Sequence, residues 1–197
     1  MSRKTTERVL VTGATGQIGS ELTMELRRKY GSDNVIAAGH KRKPSDELLL
    51  SGPFEYVDVT VKGSIENVVK KYGVDTIFHL AAVLSATGEQ NLQLAWNVNM
   101  NSLYNVLEIA RDHRFLRIFS PSSIAVFGPE APRINTPQDA VLIPKTMYGV
   151  TKVAGELLCN YYFNRFGLDV RSVRYPGIIS SETPPGGGTT DYAVEIF

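Results

Sequence analysis

The run "RVLVTGATGQIGSEL", residues 8–22, constrains this chain more than any other stretch. A short apolar segment ends at Gly13. Gly16 and Gly19 follow at intervals of three, and Ile18, Leu22 and Leu26 then recur at helical spacing. Apolar run, glycine loop and amphipathic helix, in that order, describe a strand that turns sharply into a helix. Glycine permits the tight turn and a close approach of backbone to a pyrophosphate, and the helix N-terminus offers free N–H groups to that anion. The spacing Gly-x-x-Gly-x-x-Gly differs slightly from the commonest dinucleotide fingerprint, and its strand–loop–helix context gives it weight.

The rest of the chain alternates in the same way. Strands are expected at 8–12, 34–38, 54–59, 76–82, 117–120 and 169–175, and helices at 17–30, 61–72, 91–112 and 148–166. Several strand candidates are apolar throughout, as strands covered on both faces should be. The expected fold is α/β, a Rossmann-type doubly wound parallel sheet. Residues 1–175 form its dinucleotide-binding domain, and 176–197 read as the incomplete start of a substrate lobe, because "TTDYAVEIF" opens a helical pattern that stops at Phe197. The Pro- and Gly-rich loops 128–144 and 176–189 are long enough to be functional.

Charge narrows the partners. Lys plus Arg number 21 against 20 for Asp plus Glu, so bulk charge does not point to nucleic acid. Cys159 is the single cysteine, which excludes an intrachain disulfide and favours a reducing, cytoplasmic setting. No apolar run is long enough for a membrane span, and "MSRKTTERVLVTG" leaves no room for a signal peptide. His, Cys and carboxylates nowhere cluster at metal-ligand spacing, so no metal is expected.

The one basic run, His40-Lys41-Arg42-Lys43, falls where the ribose-reading carboxylate of this fold belongs. Twenty residues past Gly19 stands Gly39. The glycine leaves space for a 2′-phosphate that Lys41 or Arg42 could pair with; alternatively the run is a solvated loop. Asp58 ends the "EYVD" strand, as an acceptor for an adenine amino group or as a cap for the next helix.

Tyr148 and Lys152 lie four residues apart and share a helical face. A tyrosine hydroxyl is too weak a base at neutral pH, and a neighbouring ammonium favours the phenolate. Ser122 and Ser123 end the preceding strand, where one hydroxyl reaches the same centre and the other serves the loop. Leu92, Trp96, Asn99, Leu103, Val106 and Ala110 step along one helical face, which puts the Asn99 amide on a buried stripe, bracing nearby backbone. His79, alone in a strand, reads as a satisfied core residue, and Cys159 as packing.

Together "TGATGQIG", Asp58, Asn99, Ser123, Tyr148 and Lys152 resemble the extended short-chain dehydrogenase/reductase family. The segments "SGPFEYVDV", "LAAVLSATGEQN", "PSSIAVFGPEAP" and above all "PGGGTTDYA" look like the short-chain-type L-threonine 3-dehydrogenases within it. The resemblance implies oxidation of L-threonine to 2-amino-3-ketobutyrate, with hydride transfer to NAD. Tyr148 would take the hydroxyl proton, Lys152 would lower the Tyr148 pKa and hold the nicotinamide ribose, and Ser123 would bond the reacting oxygen. The implied cofactor site takes in Gly13, Thr15, Gly16, Gln17, Ile18 and Gly19, then His40 and Lys41, Asp58 and Val59, and Leu80 and Ala81. Asn99, Tyr148, Lys152, Tyr175 and Ile178 complete it. Ser85, Ser123, Tyr148, Thr189 and Thr190 would meet the amino-acid substrate, and a homodimer would form through the helix carrying Tyr148. Gly39 departs from the family's aspartate, which makes NADP plausible beside NAD. A nucleotide-sugar epimerase or reductase of the same fold is the rival enzyme reading, and a non-catalytic dinucleotide sensor the rival of another class.

Overall fold

The computed structural model describes residues 7–178. Six parallel strands form the main sheet: β1 (Val9–Thr12), β2 (Val35–Gly39), β3 (Phe54–Tyr56), β4 (Thr76–His79), β5 (Arg117–Phe119) and β7 (Val170–Arg171). Their order is β3-β2-β1-β4-β5-β7. The order reverses between β1 and β4, the switch point at which a crevice opens at the carboxyl ends of the strands. A short parallel pair, β6 (Ser122–Ser123) with β8 (Arg174–Tyr175), lies beyond that edge.

Helices cover both faces, as the apolar strand runs require. On one side α3 (Lys62–Tyr72), α6 (Ser102–Asp112) and α7 (Met147–Phe166) pack on Leu10, Ile36, Ile77 and Ile118, all essentially inaccessible to solvent. Burying each such side chain contributes about 1.5–3 kcal/mol. On the other, α1 (Gln17–Tyr30) and the short α2 (Asp46–Leu50) cover Val9, Val11, Val35 and Ala37. Glycines in the left-handed region, Gly73 and Gly167, terminate α3 and α7. No described helix is long and apolar enough to cross a membrane.

His79 ties the two sides together. The Ser102 hydroxyl donates to the Val98 carbonyl, so it accepts from His79 Nε2–H at 2.9 Å, and His79 Nδ1 accepts from Thr12 Oγ1 at 2.8 Å. Burial lowers its pKa to about 3, keeping the ring neutral.

Three expectations need correction. The helix expected over 91–112 is α5 (Leu92–Trp96), a π-helical turn over Asn97–Asn101, and α6. The extra residue in that turn rotates the buried face, so Leu92 and Trp96 are exposed while Leu103, Val106 and Ala110 are buried. The strand expected over 169–175 divides between β7 and β8, one in each sheet. The strands expected over 54–59 and 76–82 end at Tyr56 and His79, so Asp58, Leu80 and Ala81 stand on loops at the crevice. In loop 128–144 the Gln138 carbonyl accepts from Arg174 Nη1 at 2.8 Å.

Candidate functional site

The glycine loop is built for close contact. Gly13 has φ of +72°, and a Cβ there would come within 2.8 Å of Ala81 N. A Cβ on Gly19 would lie 2.1 Å from the Gly13 carbonyl oxygen. Side chains at either position would close the turn. Gly16 caps α1 without a side-chain hydrogen bond, and the first turn of α1 holds no acid. The free N–H groups of that turn are therefore offered to an anion. This uncapped, side-chain-free cradle fits the pyrophosphate of a dinucleotide.

Two hollows meet at the loop. One, of about 440 Å³, runs past Gly13, Gly16, Gln17, Ile18 and Gly19 to Ser85, Ser123, Tyr148, Lys152, Tyr175 and Ile178. The other, of about 550 Å³, runs past Thr15, Gly39, His40, Lys41, Asp58, Val59, Leu80 and Ala81. Gly13, Gly16, Arg42, Leu80, Ala82 and Val83 border both, so the hollows form one crevice over the glycine loop. Thr189 and Thr190 lie outside the described residues.

The chemistry gathers at the first hollow. Thr146 caps α7 by accepting from Gly149 N at 3.0 Å, and Glu89 accepts from Met147 N at 2.6 Å. These caps fix the turn that carries Tyr148. Burial raises the Tyr148 pKa, and a hydrogen bond with Ser123 pulls it the other way. The Lys152 ammonium lies 5.4 Å from the Tyr148 ring centre and donates to the Pro121 carbonyl at 2.7 Å. Burial lowers the Lys152 pKa to about 8. At Tyr148 burial dominates, and Ser123 supplies the opposing effect.

The two serines separate cleanly. Ser122 is buried and donates to Glu156 Oε1 at 2.5 Å; Ser123 faces Tyr148. Glu156 also receives Arg174 Nε at 2.9 Å and Nη2 at 2.8 Å, a two-point pair. Burial alone would raise the Glu156 carboxyl, and the bonds from Arg174 and Ser122 outweigh it and hold it below its usual value. Glu156 and Arg174 were missed in the sequence. The signal was Glu156 one turn beyond Lys152, and Arg174 beside Tyr175.

Asn99 sits in the π-helical turn and spends its whole amide on structure. Oδ1 accepts from Val83 N at 2.8 Å, and Nδ2 donates to the Val83 carbonyl at 3.0 Å and to Thr151 Oγ1 at 3.1 Å. It borders neither hollow and reaches the crevice only through Val83. In this arrangement the amide braces the Val83 backbone against α7. Asp58 turns Oδ1 to Thr60, accepting from N at 2.9 Å and Oγ1 at 2.6 Å, and its Oδ2 lies 3.7 Å from His40 Nε2. It caps the turn before α3 rather than α3 itself, whose N-cap is Val61. No group of three His, Cys, Asp or Glu suited to a metal ion occurs among the described residues.

A switch-point crevice, an open glycine loop and a Ser/Tyr/Lys group on its rim define a nicotinamide-dinucleotide protein of the extended short-chain dehydrogenase/reductase type. Residues 9–192 match the NAD dependent epimerase/dehydratase family, and the chain belongs to it. An uncharacterized epimerase/dehydratase of Staphylococcus haemolyticus is 53% identical over 191 residues, which are 97% of this chain and 60% of that protein. The L-threonine dehydrogenase structure from Clostridium difficile is 56% identical, with a TM-score of 0.92 over 97% of this chain and 60% of that one. The holo form of a GalE-like L-threonine dehydrogenase from Cupriavidus necator is 50% identical, with a TM-score of 0.91 over 96% and 60% of the two chains. The chain thus spans about three-fifths of the length of these relatives.

Proposed function

We propose that this chain carries the cofactor site and proton-transfer residues of an L-threonine 3-dehydrogenase, forming 2-amino-3-ketobutyrate. The observation that carries the reading is the gathering of Ser123, Tyr148 and Lys152 on the wall of the hollow that the glycine loop opens, with the Lys152 ammonium 5.4 Å from the Tyr148 ring centre. The likeness to solved threonine dehydrogenases supports the choice of substrate. When bound, the nicotinamide dinucleotide supplies the hydride acceptor. The chain's own task is then the proton. Tyr148, acting as the phenolate that the Lys152 ammonium favours, takes it from the threonine hydroxyl, Ser123 holds the same oxygen, and electron density released on that oxygen expels hydride from the β-carbon to the bound dinucleotide. Lys152 keeps a positive charge beside the phenol and stands within reach of the nicotinamide ribose. Ser85 faces the amino-acid end of the same hollow.

The test is threonine-dependent reduction of the dinucleotide, followed by absorbance. We expect dinucleotide binding by these 197 residues, and faster threonine turnover in a version extended to the length of the relatives. A second reading, interconversion of a nucleotide sugar, is favoured by the epimerase/dehydratase description of the Staphylococcus relative. No turnover of threonine by the extended version, with turnover of a nucleotide sugar, would establish that reading instead.

A further inference from the structure

Gly39 is the residue whose side chain would reach the adenosine ribose. A Cβ built there meets Thr15 Cγ2 at 2.9 Å and Phe54 Cζ at 3.0 Å. The expectation that Gly39 leaves open space is therefore corrected: the slot is filled from the glycine loop and from β3. An aspartate there requires Thr15 and Phe54 to give way, so packing disfavours the usual reader of the ribose, which the sequence also lacks.

Cations line the same hollow. His40, Lys41 and Arg42 all border it, and Arg42 also borders the nicotinamide side. All three are exposed. Lys41 and Arg42 make no hydrogen bond or ion pair with the described residues. Asp58 is the one acid on this wall, and its oxygens are turned to Thr60 and His40. The loop bearing the cations is firmly rooted. Pro44 is buried, and Ser45 caps α2 by accepting from Leu48 N at 3.2 Å. Beneath it the buried Arg27 guanidinium donates to the carbonyls of Leu48 and Pro53, each at 2.6 Å, and to Ser51 Oγ at 2.5 Å.

We propose that Lys41 and Arg42 form a subsite for a 2′-phosphate on the adenosine ribose, so that this chain accepts NADP as readily as NAD. This rests on the dinucleotide reading above. A carboxylate at position 39 would repel that phosphate; here that position holds no acid, and Lys41 and Arg42 border the hollow with Asp58 as its one carboxylate. Arg42 can grip a phosphate through two parallel N–H groups, whereas Lys41 acts as a point charge. Lys43 borders neither hollow and belongs to the loop's solvated side.

Calorimetric titration with NAD and with NADP, at low and high salt, decides the matter. The two dissociation constants should agree within about tenfold at low salt, a difference of at most about 1.4 kcal/mol. NADP binding should weaken more steeply with salt. The double variant Lys41→Ala/Arg42→Ala should lose at least about tenfold in NADP affinity and less than about threefold in NAD affinity, while Lys43→Ala leaves their ratio unchanged. Thr15→Ser/Gly39→Asp, which frees the slot and fills it with an acid, should restore preference for NAD. A parent that favours NAD by more than tenfold, or equal losses of both ligands in the double variant, overturns the subsite and leaves the dinucleotide reading standing. Failure of both ligands to bind the parent overturns the dinucleotide reading itself.

Discussion

Burial drives the proton affinities of Tyr148 and Lys152 in opposite directions, raising the phenol and lowering the ammonium to about 8. Each shift disfavours the charged form. Tyr148→Phe removes the only proton acceptor proposed for the reaction and leaves the walls of the crevice in place. We expect turnover to fall at least about a thousandfold, with the dissociation constant for the dinucleotide changed by less than about threefold; retention of a tenth of the parent activity would refute the assignment. Lys152 also has a pH signature in stability. Its folded pKa lies below the unfolded value, so between about 8 and 10.5 the unfolded chain binds more protons, and stability rises with pH across that window. Below pH 8 the cost is present in full. Lys152→Met should therefore be most favourable relative to the parent at pH 7 and lose that advantage by about pH 10, as read from urea midpoints at the two values. A difference that stays flat with pH would show that Lys152 titrates normally. The Tyr/Lys pair and the serines were singled out by their spacing together with their place after the fifth strand of a chain that opens on a glycine loop. Which serine does what was not legible, because the answer depends on Glu156, a residue that looks like any exposed helix acid until Arg174 is seen against it.

Strands and helices were read well where hydrophobic periodicity was unbroken, as in α1 and α3. They were read badly where the chain changes partner within a few residues. The segment 169–175 keeps one strand-like pattern while its two halves join different sheets, a choice made by long-range pairing and not by local sequence. Likewise the π-helical turn shifts the phase of a helix whose apolar residues look regular when counted. The β6–β8 pair depends on Glu156, which holds Ser122 from one strand and Arg174 from the other. Glu156→Gln keeps the shape and a bond to Ser122 but loses the charged two-point grip. We expect a cost of about 2 kcal/mol, seen as a fall in Tm of about 4–8 °C. Because Ser123 and Tyr175 adjoin the two strands, kcat should fall more than dinucleotide affinity. An unchanged Tm would mean that the ion pair is replaced by solvent at no cost.

At the scale of the whole molecule, both hollows open at one edge of the sheet. Most residues bordering the two hollows lie at or just beyond the carboxyl ends of strands, joined by Leu94 and Val98 from the α5 segment and Lys152 from α7. The helical side also bears an apolar stripe. Val150, Leu157 and Tyr161 recur along α7, with exposures of 43%, 65% and 55%, beside exposed Trp96 and Tyr104. We expect this stripe to pair with its copy in a homodimer. Light scattering should give twice the chain mass for the parent and a monomer for Leu157→Glu/Tyr161→Glu; a parent that stays monomeric at high concentration refutes the pairing. The same geography combines with the state of Cys159 to useful effect. That thiol is buried and pushed up to about 12, so it offers almost no thiolate to a reagent near neutral pH. For conjugation chemistry the chain already behaves as if it had no cysteine. Asp33 is exposed in the turn that feeds β2, on the edge away from the crevice. A maleimide dye or a bead linker offered to Asp33→Cys should attach at that one position, and mass spectrometry should count a single adduct. The tethered molecule would then stand with its crevice turned toward the solution.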